Sequence, residues 1–113
     1  MVEMTFDAAH QLVGYEGPCE KLHGHTWKAQ VFIKGTKLNK LGMLVDFKEV
    51  KLMVQFAVAK LDHTNLNMIP YFRKVNPTSE NVAKYIFDQV SKKADVVKVT
   101  VFESPVTSAT YER

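Results

Sequence analysis

Apolar and polar positions alternate from residue 2 to residue 10. Val2, Met4, Phe6, Ala8 and His10 fall on one side, and Glu3, Thr5, Asp7 and Ala9 on the other. A period of two is that of a half-buried strand. Gly14, Gly17 and Pro18 break the pattern, which predicts a loop. Alternation resumes over residues 23 to 34, with His23, His25, Trp27, Ala29, Val31 and Ile33 on one face and Lys28, Gln30 and Lys34 on the other. The two runs predict an antiparallel pair with a long connection. From Asp46 the period changes. Asp46-Phe47-Lys48-Glu49 reads as a capping box, and Phe47, Val50, Val54, Ala57, Val58 and Leu61 recur at helical spacing. A second helix is predicted from near Thr78, just after Pro77, with Val82, Ile86 and Val90 as its apolar stripe. Residues 62 to 76, between the helices, are polar and turn-rich. A third strand is predicted from Val96 to Glu103, with Val97, Val99, Val101 and Glu103 on one face, and a short fourth from Ser108 to Tyr111.

The order strand, strand, helix, helix, strand, strand predicts an α+β fold, an antiparallel sheet with two helices on one face. Four strands leave two open edges, and such edges often pair with a neighbour, so an oligomer is expected. With no linker, low-complexity stretch or internal repeat, residues 1–113 read as one domain.

Composition narrows the classes. The chain has 113 residues, 46% hydrophobic and 24% charged, which excludes a disordered chain. No apolar run reaches the roughly 18 residues of a membrane helix. Glu3 and Asp7 interrupt the N-terminal segment, so no signal peptide is expected there. One cysteine forms no internal disulfide and fits a reducing compartment, most simply the cytoplasm. The net charge is +3, and the lysines are scattered without aromatic interleaving, which disfavours nucleic acid as a partner.

Five groups of residues can carry chemistry. In His23-Gly24-His25 the two imidazoles project from one strand face, roughly 6.6–7 Å apart along the chain. Gly24 leaves room on the reverse face. In a hairpin-like pair, His10 at the end of the first strand lies beside the start of the next. Three histidines are the ligand set of a catalytic zinc with an open fourth position; the alternative is three separate core or surface histidines. Cys19, four residues before His23, reads as an acidified thiol acting as nucleophile or base, as a fourth zinc ligand, or as a small buried hydrophobe. Asp62-His63 ends the predicted first helix. It reads as a general-base pair, or as a histidine interacting with the helix dipole. Glu103 closes an apolar strand face, where a carboxylate is costly unless it is paired with a protein cation, receives a ligand presenting two parallel N–H groups, or is exposed at the strand end. The segment Thr78-Ser79-Glu80-Asn81 is a helix N-cap whose backbone N–H groups can also hold a ligand.

Taken together, these residues resemble the 6-pyruvoyl-tetrahydropterin synthase family, and most closely its 6-carboxy-5,6,7,8-tetrahydropterin synthase branch. The motifs that carry the resemblance run in order along nearly the whole chain: Phe6-x-Ala8-Ala9-His10, Cys19-x-x-x-His23-Gly24-His25, Gly42-Met43-x-x-Asp46-Phe47, Leu61-Asp62-His63-x-x-Leu66-Asn67, Pro77-Thr78-x-Glu80-Asn81 and Phe102-Glu103-Ser104. One small departure is Ser104, where threonine is common.

The resemblance implies the tunnelling fold (T-fold), in which strands of several subunits close a barrel with the helices outside. It implies a homo-oligomer, a hexamer built as a dimer of trimers, with sites between subunits. It implies Zn2+ on His10, His23 and His25, a catalytic set of Cys19, Asp62 and His63, a pterin-anchoring Glu103, and a pterin pocket lined by Thr78, Ser79 and Glu80. The implied substrate is 7,8-dihydroneopterin triphosphate, with Lys21, Lys28, Arg73 or Lys74 available for its triphosphate. The three-residue gap between Cys19 and His23 resembles the 6-carboxy enzymes, whose product feeds 7-deazaguanine (queuosine or archaeosine) synthesis. The pyruvoyl-forming enzymes are the alternative. A third branch, forming 6-hydroxymethyl-dihydropterin, uses a glutamate in or beside the cysteine position; Cys19 disfavours it and Glu20 keeps it open. A reading of another class is a non-catalytic zinc- or pterin-binding module.

Overall fold

The computed structural model describes residues 1–14 and 21–113; Cys19 and Glu20 lie outside the described residues. The two long alternating runs form β1 (Val2–His10) and β2 (His23–Ile33), paired antiparallel in the expected register, with His10 opposite His23 and Ala8 opposite His25. Helix α1 (Phe47–Ala59) starts at Asp46, whose carboxylate accepts from Lys48 N at 2.9 Å. Helix α3 (Ser79–Ser91) starts at Thr78, whose hydroxyl accepts from Asn81 N at 3.1 Å. Strands β4 (Val96–Ser104) and β5 (Thr107–Glu112) complete the predicted order.

The turn-rich segment between the helices holds more structure than its polarity predicted. A two-residue strand β3 (Thr64–Asn65) pairs with β1 in parallel, followed by a 3-10 turn (Leu66–Met68) and the single-turn helix α2 (Tyr71–Lys74). Among the described residues the sheet therefore has five strands in the order β3-β1-β2-β4-β5, with one parallel pairing, rather than four antiparallel strands. Two residues are too short to show a periodicity, and their pairing depends on the approach of β1.

One face of the sheet packs on α1 and α3. Trp27, Ala29 and Val31 of β2, and Val99 and Val101 of β4, meet Val50 and Val54 of α1 and Val82, Ile86 and Val90 of α3, all essentially inaccessible to solvent. Phe6 stacks on Trp27 with ring centroids 5.9 Å apart. Two predicted core positions fall elsewhere. Phe47 is 62% exposed, because the first residue of α1 precedes the turn that meets the sheet. Val97 yields its core place to Val96, because the β2–β4 register shifts at Phe32/Ile33 and Ile33 pairs with Val96. The other sheet face is polar, with Gln30 bonded to Glu3 at 3.1 Å and the hydroxyls of Thr100 and Thr110 2.7 Å apart.

Candidate metal centre

Strand pairing and side-chain direction bring His10, His23 and His25 to one end of the helix-covered face. Their ring centroids are 4.7 to 5.4 Å apart. Trp27 forms the floor, edge-on to His10 and His25, and its indole N–H donates to Ala8 O at 3.1 Å. Its burial between the histidines and the core makes it a site residue that alternation alone reads as core.

Two imidazoles are oriented from behind. His10 Nδ1 lies 2.7 Å from Pro77 O, and His23 Nδ1 lies 2.7 Å from Lys21 O. A carbonyl oxygen only accepts, so both Nδ1 atoms donate, and each ring turns its Nε2 toward Glu103. Pro77, which supplies one carbonyl, is held by the loop around it. Asn76 exchanges hydrogen bonds with Val13 N and O, and receives Asn81 Nδ2 on its own carbonyl. Asn67 clamps Gln11 N and O in the same manner. These two asparagines fix the chain as it leaves β1, a role signalled in the sequence only by amides in turn-rich stretches.

Glu103 is the fourth member. The β4–β5 register shifts between Phe102 and Ser104, leaving Glu103 unpaired on the β5 side, as in a bulge that re-aims a side chain. Its Oε1 lies 2.8 Å from His25 Nε2, 3.2 Å from His10 Nε2 and 3.9 Å from His23 Nε2. Ser79 donates its hydroxyl to the other oxygen, Oε2, at 3.3 Å. The His25 contact is a close approach without the alignment of a hydrogen bond, so the buried Nε2 has no hydrogen-bond partner. Burial, opposed by Glu103 and reinforced by His23 and His10, lowers the pKa of His25, which favours the neutral, metal-binding imidazole.

The four ligand atoms lie within 4.8 Å of one another. Ligands held about 2.0 Å from a tetrahedral ion stand about 3.3 Å apart, and the contacts to Glu103 Oε1 bracket that value. Converging Nε2 atoms, an orphaned buried nitrogen and carbonyl-oriented rings fit a divalent cation, and the cluster can hold one.

Asp62 and His63 form a separate knot on the other side of β1. They sit in the turn after α1 and not in its last turn. His63 Nδ1 is 3.0 Å from Asp62 Oδ2, and Asp62 Oδ1 accepts from Asp7 N at 2.8 Å. Asp7 O in turn accepts from His63 N at 2.6 Å, which holds His63 at φ 57°, a conformation non-glycine residues seldom adopt. The Asp7 N–H is the main cause of a lowered Asp62 pKa, with His63 adding to it and burial opposing. His63 is 79% exposed. A shallow depression lined by Asp7, Ala9, Gly24, His25 and His63 links the knot to the metal cluster. A Cβ at Gly24 would meet only Ala8 O, at 3.9 Å, so the reverse face there is open. Asp7 belongs to this knot through its backbone; the strand pattern marked it only as an outward polar position.

Of the predicted pterin-pocket residues, Ser79 reaches Glu103, Thr78 caps α3, and Glu80 is exposed in the first turn of α3. A cleft of about 430 Å³ opens beside the cluster, lined by His25, Thr26, Lys28, Phe102, Glu103 and Ser104.

The family model for 6-pyruvoyl tetrahydropterin synthase matches residues 1–113. The chain belongs to the 6-pyruvoyl tetrahydropterin synthase family. It is 39% identical over 105 residues to a putative 6-carboxy-5,6,7,8-tetrahydropterin synthase of Archaeoglobus fulgidus, covering 91% of this chain and 85% of the relative. It is 41% identical over 88 residues to the dihydroneopterin monophosphate aldolase of Pyrococcus furiosus, covering 78% and 70%. The solved 6-pyruvoyl tetrahydropterin synthase of Caenorhabditis elegans superposes with a TM-score of 0.91 at 28% identity, covering 99% of this chain and 92% of that one. The fold is thus the family's T-fold, and the chain is an enzyme of the tetrahydropterin synthase, lyase type.

Proposed function

We propose that the protein converts 7,8-dihydroneopterin triphosphate and one water to 6-carboxy-5,6,7,8-tetrahydropterin, releasing acetaldehyde and triphosphate, as a zinc enzyme of 7-deazaguanine synthesis in the cytoplasm. The observation that carries this reading is the convergence of three Nε2 atoms at the end of β1 and β2, in a chain whose relatives include named 6-carboxy enzymes. An all-imidazole triad with an open position suits zinc, which when bound supplies Lewis acidity toward the oxygens of the substrate side chain.

In this reading the chain's own residues divide the rest. Glu103 accepts the 2-amino and N3 hydrogens of the pterin in the cleft it lines, with Ser79 bonded to its carboxylate and Thr78 capping the helix that carries Ser79. Cys19, as thiolate, moves a proton along the substrate side chain. Asp62 holds His63 through Nδ1, so that the exposed imidazole relays protons at Nε2. Of the cations available to the triphosphate, Lys28 lines the cleft. The catalytic knot and the metal cluster lie on different sides of β1, and β5 ends the sheet as an exposed strand. Both features support a homo-oligomer in which one subunit's knot meets a neighbour's metal, and the hexamer rests on the family resemblance alone.

The test is metal content and acetaldehyde release from wild type and Cys19→Ala. Retained zinc with lost turnover is expected. Zinc lost with the thiol points to a structural site of one cysteine and three histidines, and to the non-catalytic module. The Pyrococcus relative favours a second reading, aldol cleavage of dihydroneopterin monophosphate to a 6-hydroxymethyl product. It predicts turnover of the monophosphate rather than the triphosphate.

A further inference from the structure

Glu103 stands where one carboxylate oxygen is shared among three imidazoles, at 2.8, 3.2 and 3.9 Å from their Nε2 atoms. A carboxylate that only anchored a pterin would aim both oxygens into the cleft. Here one oxygen points at the histidines, and the other takes a hydroxyl from Ser79. The bulge leaves Glu103 without a paired residue on β5, so no directly opposite side chain on that strand confines its carboxylate to one direction.

We propose that Glu103 is the fourth ligand of the metal when no substrate is bound, and that pterin binding draws it off. This rests on the function proposed above, in which the histidines hold the metal and Glu103 receives the pterin. A divalent ion with three neutral imidazoles and a carboxylate has a net charge of +1 and a closed shell. When the pterin edge takes both oxygens, the charge at the ion returns to +2 and a position opens toward the substrate side chain. Ser79 steadies the swing, because its hydroxyl can follow Oε2. Coordination then opens only when a pterin is present, which discriminates against other oxygen ligands.

The test uses Co2+ in place of zinc, because its visible absorption reports coordination number. Metal-free wild type, Glu103→Gln and His23→Ala are titrated with Co2+ alone, and wild type is then titrated with 6-methylpterin, which has the pterin edge and no side-chain oxygens. Glu103→Gln should bind Co2+ at least about tenfold more weakly than wild type, with an altered band. In wild type, 6-methylpterin should shift the band and weaken Co2+ binding by a similar factor, since coupling between two ligands is reciprocal. This second arm needs no variant to fold. Equal Co2+ affinity and spectrum in Glu103→Gln, or pterin binding seen by fluorescence with an unmoved cobalt band, overturns the proposal and leaves the proposed function standing. Unchanged Co2+ binding in His23→Ala overturns both.

Discussion

Pro77 O and Lys21 O each take an Nδ1 proton, and the consequences for His10 and His23 differ with burial. His10 is 1% exposed, whereas His23 and His25 keep about a quarter of their side chains accessible. His23→Ala and His25→Ala should therefore lose stoichiometric metal and remain soluble. His10→Ala should lose metal and also cost about 1–3 kcal/mol of stability, because Pro77 O is left unpaired in the interior. Metal analysis and urea denaturation of the three metal-free variants separate the effects. Asp62 offers a pH test. Its folded-state pKa is below the ordinary carboxylate value, so its ionised form stabilises the turn above that value and the contribution is lost as pH falls through the lowered pKa. The melting-temperature gap between wild type and Asp62→Asn should be open at neutral pH and close in strong acid. A gap independent of pH would contradict this.

At the scale of elements, α3 matters to the site through its first turn, where Thr78 caps the helix and Ser79 meets Glu103. Thr78→Ala should cost about 1 kcal/mol, read by denaturation, with metal binding retained. Ser79→Ala should leave stability nearly unchanged. The long elements were legible because period-two and helical spacing each persisted over nine or more residues, which also put His10, His23 and His25 on one face. The segment from Thr64 to Lys74 was not legible. A two-residue strand, a 3-10 turn and a one-turn helix have no period to read, and their stability comes from contacts with β1 and from asparagine clamps. The aim of Glu103 was legible in part. Its face followed from Val99 and Val101, but the bulge that turns its carboxylate onto the histidines depends on a register shift that alternation does not record.

At the scale of the molecule, the exposed β5 and the separation of the Asp62–His63 knot from the metal cluster support the proposed homo-oligomer. The pattern of strands pointed to open edges, but edges carry no stoichiometry, which is why the hexamer came only from resemblance. Mixing inactive Cys19→Ala and His63→Ala chains should regain partial activity if the two residues serve a site from different subunits, and light scattering should report an oligomer. A monomer at working concentration would sink the shared-site account. The central claim is the reaction itself. Incubating the zinc-loaded protein with 7,8-dihydroneopterin triphosphate and, separately, dihydroneopterin monophosphate, and identifying products by mass spectrometry, tests it most directly. Formation of 6-carboxy-5,6,7,8-tetrahydropterin with acetaldehyde from the triphosphate is expected; a 6-pyruvoyl product, or a 6-hydroxymethyl product from the monophosphate alone, would contradict it.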